Sequence, residues 1–162
     1  MSLADILNYI PIDERVATAG QPSEAQFREA REAGYAVVIN LAPDGLETSL
    51  PDEAGLLESL GMEYHHIPVA WADPRLEELE RFEELMASMS GRPTLIHCQA
   101  NYRVTAFYAM YATSWLGWED ERADALINRI WGARQDFRMD ETWRNFIAAA
   151  RRRQTKKVEN RP

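Results

Sequence analysis

Apolar and polar positions follow one another along the chain in blocks that have the period of a helix or of a strand. From Leu76 onward the apolar side chains recur at helical spacing, which predicts an amphipathic helix that ends at Gly91. Ser23 and Gln26 have the spacing of a capping box and predict the start of another helix, with Gly34 as its end. Further helices are predicted at 53–60, 104–117, 119–131 and 140–152.

Short runs rich in apolar or β-branched residues separate these helices and predict the strands of a buried sheet. They are YAVVINLA (35–42), MEYHHIPV (62–69) and TLIH (94–97). The alternation predicts an α/β fold: a mostly parallel central sheet flanked by helices, with extra C-terminal helices. A length of 162 residues suits one domain, which we place at 1–153, followed by a polar C-terminal tail at 154–162.

Composition and charge narrow the range of partners. The formal net charge of −8 argues against a general nucleic-acid binder, because phosphate backbones attract basic surfaces. No apolar run approaches the roughly 18 residues of a membrane span, and the first ten residues lack the basic and apolar regions of a signal peptide. A single cysteine excludes an intramolecular disulfide and suits a reducing compartment. We therefore expect a cytoplasmic protein that binds neither nucleic acid nor membrane.

The only cysteine lies in the stretch LIHCQANYRV (95–104), where a buried strand gives way to a helix. The loop after Cys98 would direct backbone N–H groups at one point, and the helix dipole adds positive potential there. Arg103 adds a planar cation suited to binding an oxyanion. Such a field favours the thiolate, which is the nucleophilic form of cysteine. A buried structural cysteine is the alternative, but the histidine, loop and arginine together favour an anion site.

The segment HCQANYR (97–103) resembles the phosphate-binding loop of the cysteine-dependent protein phosphatases, of the tyrosine and dual-specificity type. Two upstream segments, TAGQPSEAQFREAREAGYAVVINLAPDG and LGMEYHHIPV, resemble a bacterial group of small, compact dual-specificity-like phosphatases. The similarity covers about residues 16 to 115. It implies a dual-specificity-phosphatase-like fold and a phosphorylated substrate, either protein (phosphotyrosine among others) or small molecule. It also implies that no metal or other cofactor takes part.

The resemblance assigns roles to individual residues. Cys98 would be the nucleophile, Arg103 would bind the phosphate, and His97 would orient the loop and help to hold the thiolate. Phosphate contacts would come from the remaining residues of the loop and the helix start, namely Gln99, Ala100, Asn101, Tyr102, Val104 and Thr105.

A general acid is also required, and Asp73 is the first candidate because it lies 25 residues before Cys98, in the loop where the family keeps its acid. The alternative role for Asp73 is the N-cap of the following helix, with Pro74 in the first turn. Fallback acids on the neighbouring loop, each more simply explained as a solvated charge, are Asp44, Asp52 and Glu53.

The loop departs from the family pattern in three ways. It encloses four residues between Cys98 and Arg103 instead of five, it contains no glycine, and Val104 replaces the usual hydroxyl residue. Asn101 is the loop residue best able to adopt the positive φ that glycine would otherwise supply. The shorter loop leaves two other hypotheses open. One is a rhodanese-like sulfurtransferase with a six-residue loop, and the other is an inactive, oxyanion-binding pseudophosphatase.

Two aromatic residues and two histidines need no catalytic role. Trp71 and Tyr102 could form a wall of the pocket or pack in the core. His65 and His66 are neighbours on a strand and would face opposite sides, so they are not expected to share a metal. The sequence leaves the substrate and the oligomeric state open.

Overall fold

Five strands and six α-helices form the part of the chain described by the computed structural model, which covers residues 2–89 and 91–159, without the side chains of 155–159. The strands are β1 Ile10–Pro11, β2 Val16–Ala19, β3 Val37–Asn40, β4 Glu63–His66 and β5 Thr94–His97. The helices are α1 Glu24–Glu32, α2 Glu53–Ser59, α3 Leu76–Ser88, α4 Tyr102–Trp115, α5 Asp120–Trp131 and α6 Glu141–Glu159. A short 3₁₀ helix at Leu3–Asp5 precedes them.

The strands form one sheet in the order β1-β2-β5-β3-β4, in which only β1 is antiparallel to its neighbour. In register, Ala19 at the end of β2 and Asn40 at the end of β3 lie on either side of His97 at the end of β5. The carboxyl ends of these parallel strands therefore meet at one edge, where open α/β sheets bind ligands. The predicted mostly parallel sheet is confirmed.

Helices cover both faces of the sheet. Phe27 of α1 and Leu57 of α2 pack with Val38 and Leu95 on one face. The other face carries α3, α4, α5 and α6 in one larger apolar cluster. Within that cluster α4 is buried along ten consecutive residues, Arg103 to Ala112, as expected for a helix that is apolar on all sides. The extra C-terminal helices α5 and α6 pack against α4, as the sequence predicted.

Several boundaries differ from the sequence prediction. Strands β1 and β2 were not predicted, because they are short, β1 contains Pro11, and the charged segment 13–15 precedes β2. Helix α4 begins two residues earlier than predicted, which places Arg103 in its first turn. Helix α6 extends to Glu159, so the segment expected as a tail from 154 begins as helix, and residues 160–162 lie outside the described part. No helix among the described residues is long and apolar enough to cross a bilayer.

Candidate active site

The cysteine loop, residues 98–101, joins the end of β5 to the start of α4 at the carboxyl edge of the sheet. Cys98 is fully buried, and its N–H donates to the carbonyl of Ala19 on the neighbouring strand at 3.3 Å. The sequence thus forms the expected strand, cysteine, loop and helix, with the thiol at the base of the loop.

Backbone N–H groups of the loop and of the first helical turn are free to bind an anion. Those of Gln99, Ala100, Tyr102, Arg103 and Val104 donate to no acceptor in the described part of the chain. The first turn of any helix leaves such donors unpaired, and its dipole favours negative charge there. Five unpaired donors beside a buried cysteine make a site of the kind that binds phosphate.

Asn101 supplies the left-handed turn that the loop requires in the absence of glycine. Its φ is 71°, as the sequence indicated for this position. The buried side-chain amide donates to the carbonyl of Asn8 at 2.8 Å and to the hydroxyl of Thr18 at 3.0 Å. Asn8 in turn donates to the carbonyl of Ala100 at 2.9 Å. The N-terminal segment thereby fixes the conformation of the shortened loop.

The segment Gly20-Gln21-Pro22 supports the loop from the side of β2. A Cβ at Gly20 would lie 2.9 Å from the carbonyl oxygen of Gln99, so only glycine permits this close approach. The N–H of Gln21 donates to the same carbonyl at 3.0 Å. The segment therefore fixes the carbonyl of Gln99 within the loop.

Replacing Asn101 by alanine is expected to destabilise the fold by about 2–4 kcal/mol, because alanine is strained at positive φ and cannot make the two buried hydrogen bonds. Replacement by glycine removes only the hydrogen bonds and should cost about half as much. Urea denaturation of both variants measures the difference. Equal losses of unfolding free energy in the two variants would contradict a conformational role for Asn101.

Arg103 is buried and held by the loop that follows β4. Its Nε donates to the carbonyl of Val69 at 2.8 Å, and its guanidinium lies over the indole of Trp71, 5.2 Å from the ring centroid. Burial lowers the pKa of Arg103 from its ordinary value, and the interaction with Cys98 partly offsets this effect. The arginine cation therefore lies close enough to the Cys98 thiol for the two groups to interact.

Asp73 lies on the same loop but is exposed, and its carboxylate pairs with Arg75 at 3.0 Å. It does not cap the following helix, since α3 begins at Leu76 with Arg75 in the N-cap position. The alternative role of Asp73 as an N-cap is therefore wrong, and its carboxylate is held by Arg75 at the surface. An exposed pair of this kind contributes little to stability.

Trp71 and Tyr102 belong to an aromatic cluster that borders Arg103. Their rings meet edge to face at 6.3 Å, and Trp71 also stacks on Trp131 at 5.4 Å. Phe137, on the loop between α5 and α6, contacts Tyr102 at 4.8 Å and is partly exposed. Both rings named from the sequence are only half-buried, so they pack on the core and also border the site.

Val104 and Thr105 turn their side chains into the protein. Val104 is fully buried in the core, so its N–H is the group it presents to the site. The Thr105 hydroxyl donates to the carbonyls of Asn101 and Tyr102 and thus stabilises the helix start.

Glu53, expected as a solvated charge, is instead buried beside the cysteine loop. One carboxylate oxygen contacts Nε2 of the buried His97 at 2.7 Å, and the other accepts from the side-chain amide of Gln21 at 2.8 Å. Burial favours the neutral acid, but hydrogen bonds and charge from His97 outweigh it and lower the pKa of Glu53. No local pattern indicates this contact, because 44 residues separate the partners.

The other two fallback acids behave as ordinary surface carboxylates. Asp44 has a side chain that is 92% exposed, and Asp52 caps α2 by accepting from the N–H of Gly55. Among the side chains of residues 2–89 and 91–154, no three histidine, cysteine or acidic groups are placed together as metal ligands would be. His65 pairs with Glu63, and His66 contacts the carbonyl of Ala42.

A family model described as the phosphatase-like domain of the beta-lactamase hydrolase-like protein matches residues 9–114, which include the whole cysteine loop. The chain belongs to this family. Beta-lactamase hydrolase-like proteins of Xylella fastidiosa and Agrobacterium fabrum are 30% and 32% identical to it over 107 and 104 residues. These matches cover 64% and 62% of this chain. They cover 25% and 24% of the relatives, so the phosphatase-like domain matches about a quarter of their length.

Solved structures agree with the family. A candidate phosphatase of the DUF442 group from Shewanella putrefaciens CN-32 is 30% identical, with a TM-score of 0.79 over 91% of this chain and 93% of that one. The active form of Tk-PTP has a TM-score of 0.74 at 21% identity, over 90% of this chain and 97% of that one.

PTPMT1, whose structure was also determined in complex with PI(5)P, has a TM-score of 0.74 at 19% identity, over 94% of this chain and 99% of that one. The dual-specificity-phosphatase-like fold is thereby confirmed. Family and fold together support a phosphatase.

Proposed function

We propose that the chain is a cysteine-dependent phosphatase, which hydrolyses phosphate monoesters through a phosphocysteine at Cys98. The observation that carries this proposal is the row of five unpaired N–H groups beside the buried cysteine, with Arg103 next to the sulfur. A dianionic phosphate would satisfy these donors, and a neutral ligand would not. The four-residue loop is compatible with this role, because Asn101 supplies its positive φ.

The first step forms a bond from the Cys98 sulfur to phosphorus and breaks the ester P–O bond. Arg103 and the N–H groups of the cysteine loop hold the non-bridging oxygens, where negative charge is stabilised during transfer. The leaving oxygen takes a proton from a carboxylic acid. In the second step water attacks phosphorus, gives a proton to the same carboxylate, and releases inorganic phosphate and the thiolate. Neither step requires a metal or a redox cofactor.

Asp73 is our candidate for that acid. It is on the loop that carries Val69 and Trp71, both of which contact Arg103, so the loop is anchored at the phosphate site. Its carboxylate is exposed and bound only through the surface pair with Arg75, so it can reorient when a substrate binds.

Replacing Asp73 by asparagine is expected to make phosphocysteine accumulate when p-nitrophenyl phosphate is the substrate. The p-nitrophenolate leaving group needs no proton, so the first step continues, while the second step lacks its base. Acid quenching followed by mass spectrometry of the Cys98 peptide should detect one added phosphoryl group. The basic limb of the pH–rate profile should also flatten.

Asp136→Asn is the matched control, because Asp136 is also exposed and paired with an arginine two residues away, Arg134. It should behave as the wild type does. Absence of phosphocysteine in every variant would contradict the covalent route. A phosphoenzyme that turns over equally fast in Asp73→Asn and in the wild type would assign the acid to another residue.

The substrate is proposed to be a phosphorylated protein or small molecule. The free N–H groups and Arg103 recognise the phosphoryl group alone, whereas the aromatic cluster around Trp71 and Tyr102 would contact the group that carries it. The complex of PTPMT1 with PI(5)P is consistent with a phosphate monoester as ligand of this fold.

A further inference from the structure

The two ring nitrogens of His97 both face hydrogen-bond acceptors. Nε2 lies 2.7 Å from a carboxylate oxygen of Glu53, and Nδ1 lies 3.1 Å from the carbonyl oxygen of Cys98. A carbonyl has no proton to donate, and a carboxylate has none either. A neutral imidazole has only one N–H, so it would leave one nitrogen lone pair against an oxygen lone pair. Only the imidazolium donates at both positions.

We infer that Glu53 is a positioning residue of this site: it holds His97 as the imidazolium, whose positive charge stabilises the Cys98 thiolate. This role rests on the proposed function, since a stabilised thiolate matters for nucleophilic attack. Glu53 comes from the first residue of α2, on the opposite face of the sheet from α4. It therefore acts through His97 and not by contact with substrate.

The geometry produces a row of alternating charges through the edge of the sheet. Glu53 is 8% exposed, His97 and Cys98 are 0% exposed, and Arg103 is 5% exposed. With Glu53 ionised and His97 protonated, the imidazolium borders the backbone carbonyl of Cys98, and the Arg103 guanidinium interacts with the thiol of the same residue. A buried charge is stable when a group of opposite charge lies beside it. Removal of one partner leaves the other charge buried without compensation, which destabilises the protein.

Other groups that face this row favour the same protonation states. Gln21, from the segment after β2, donates its amide to Glu53, and Tyr64, from β4, also lowers the pKa of that carboxylate. From α1, Phe27 presents its ring to His97 at 5.6 Å and contributes no charge. Burial raises the pKa of Glu53, but the interactions with His97, Gln21 and Tyr64 outweigh it, so the pKa is lowered from its ordinary value.

The inference is tested first on the wild-type protein by long-range ¹H–¹⁵N spectra, which distinguish an imidazolium from either neutral tautomer. At about pH 7.5, roughly one unit above the ordinary histidine value, His97 should still carry two N–H groups. In Glu53→Gln it should be neutral, because an amide does not stabilise the cation as a carboxylate does. A neutral His97 in the wild type at this pH would overturn the inference, whether or not the protein hydrolyses phosphate.

The second readout is the rate at which iodoacetamide alkylates Cys98 near pH 6. Loss of a neighbouring cation should lower the thiolate fraction, and we expect the rate to fall about 3- to 10-fold in Glu53→Gln. Glu58→Gln is the matched control, because Glu58 is exposed on the same helix and the substitution removes the same charge. In this variant iodoacetamide should alkylate Cys98 at the wild-type rate.

An equal rate in Glu53→Gln and the wild type, with His97 charged in both, would show that Glu53 does not act through His97. If the phosphatase proposal alone fails, the wild type will not hydrolyse a phosphate monoester. The His97 spectrum and the Cys98 alkylation rate will still behave as described above. If Glu53→Gln does not fold, the wild-type spectrum alone decides the protonation state.

Discussion

Replacing Arg103 by lysine is expected to lower kcat/KM for an aryl phosphate by about 10²- to 10³-fold. Lysine keeps the positive charge but lacks the planar pair of donors that binds two phosphate oxygens at once. It also loses the Nε contact to Val69 and the stacking on Trp71 that hold the cation beside Cys98. Steady-state kinetics on p-nitrophenyl phosphate would measure this loss.

The chain provides a matched control for this substitution. Arg122 also lies over an indole, that of Trp118 at 3.9 Å, but on α5 and among residues that do not include the cysteine loop. Arg122→Lys should keep the wild-type kcat/KM. Loss of one hydrogen-bond donor to the transferred group usually lowers kcat by far more than twofold. A kcat/KM for Arg103→Lys within about twofold of the wild type would therefore exclude Arg103 from phosphate binding.

The second large effect is a loss of turnover when Cys98 is replaced. Serine has nearly the same shape but is not ionised at neutral pH, so Cys98→Ser should lower turnover by at least about 10³-fold. The five free N–H groups and Arg103 remain in this variant, so inorganic phosphate should still bind. Calorimetric titration of Cys98→Ser with phosphate tests this. Loss of binding would mean that the N–H groups and Arg103 bind an anion only when the sulfur is present.

The same variant separates the competing hypotheses from the sequence. A sulfurtransferase would need thiosulfate or a persulfide donor and would leave one extra sulfur on Cys98. An inactive pseudophosphatase would bind phosphate in both the wild type and Cys98→Ser, with turnover in neither.

The fold was largely predictable because its signals are local. Apolar runs such as VVIN and TLIH, and the helical spacing from Leu76, identify buried strands and an amphipathic helix without any long-range knowledge. Strand β2 was missed for the opposite reason. VATA is only four residues long and includes two alanines, and β1 and β5 pair with it on both sides to complete the strand.

In the candidate site, the sequence predicted the residues within the loop but not those that support it. Asn101 could be named in advance, because its tolerance of positive φ is a property of the residue itself. Glu53 and Asn8 contact the site region from 44 and 93 residues away, and nothing in their own neighbourhoods indicates a partner. The alternative role of Asp73 as an N-cap fails because the helix begins two residues later than the Asp-Pro pair suggests.

Hydrolysis of p-nitrophenyl phosphate in the presence of EDTA, compared between the wild type and Cys98→Ser, is the most direct test of a cysteine nucleophile. We expect turnover by the wild type between about pH 5 and pH 8 and its loss in the variant. Turnover that survives in Cys98→Ser, or none in the wild type across this range, would contradict a cysteine-dependent phosphatase.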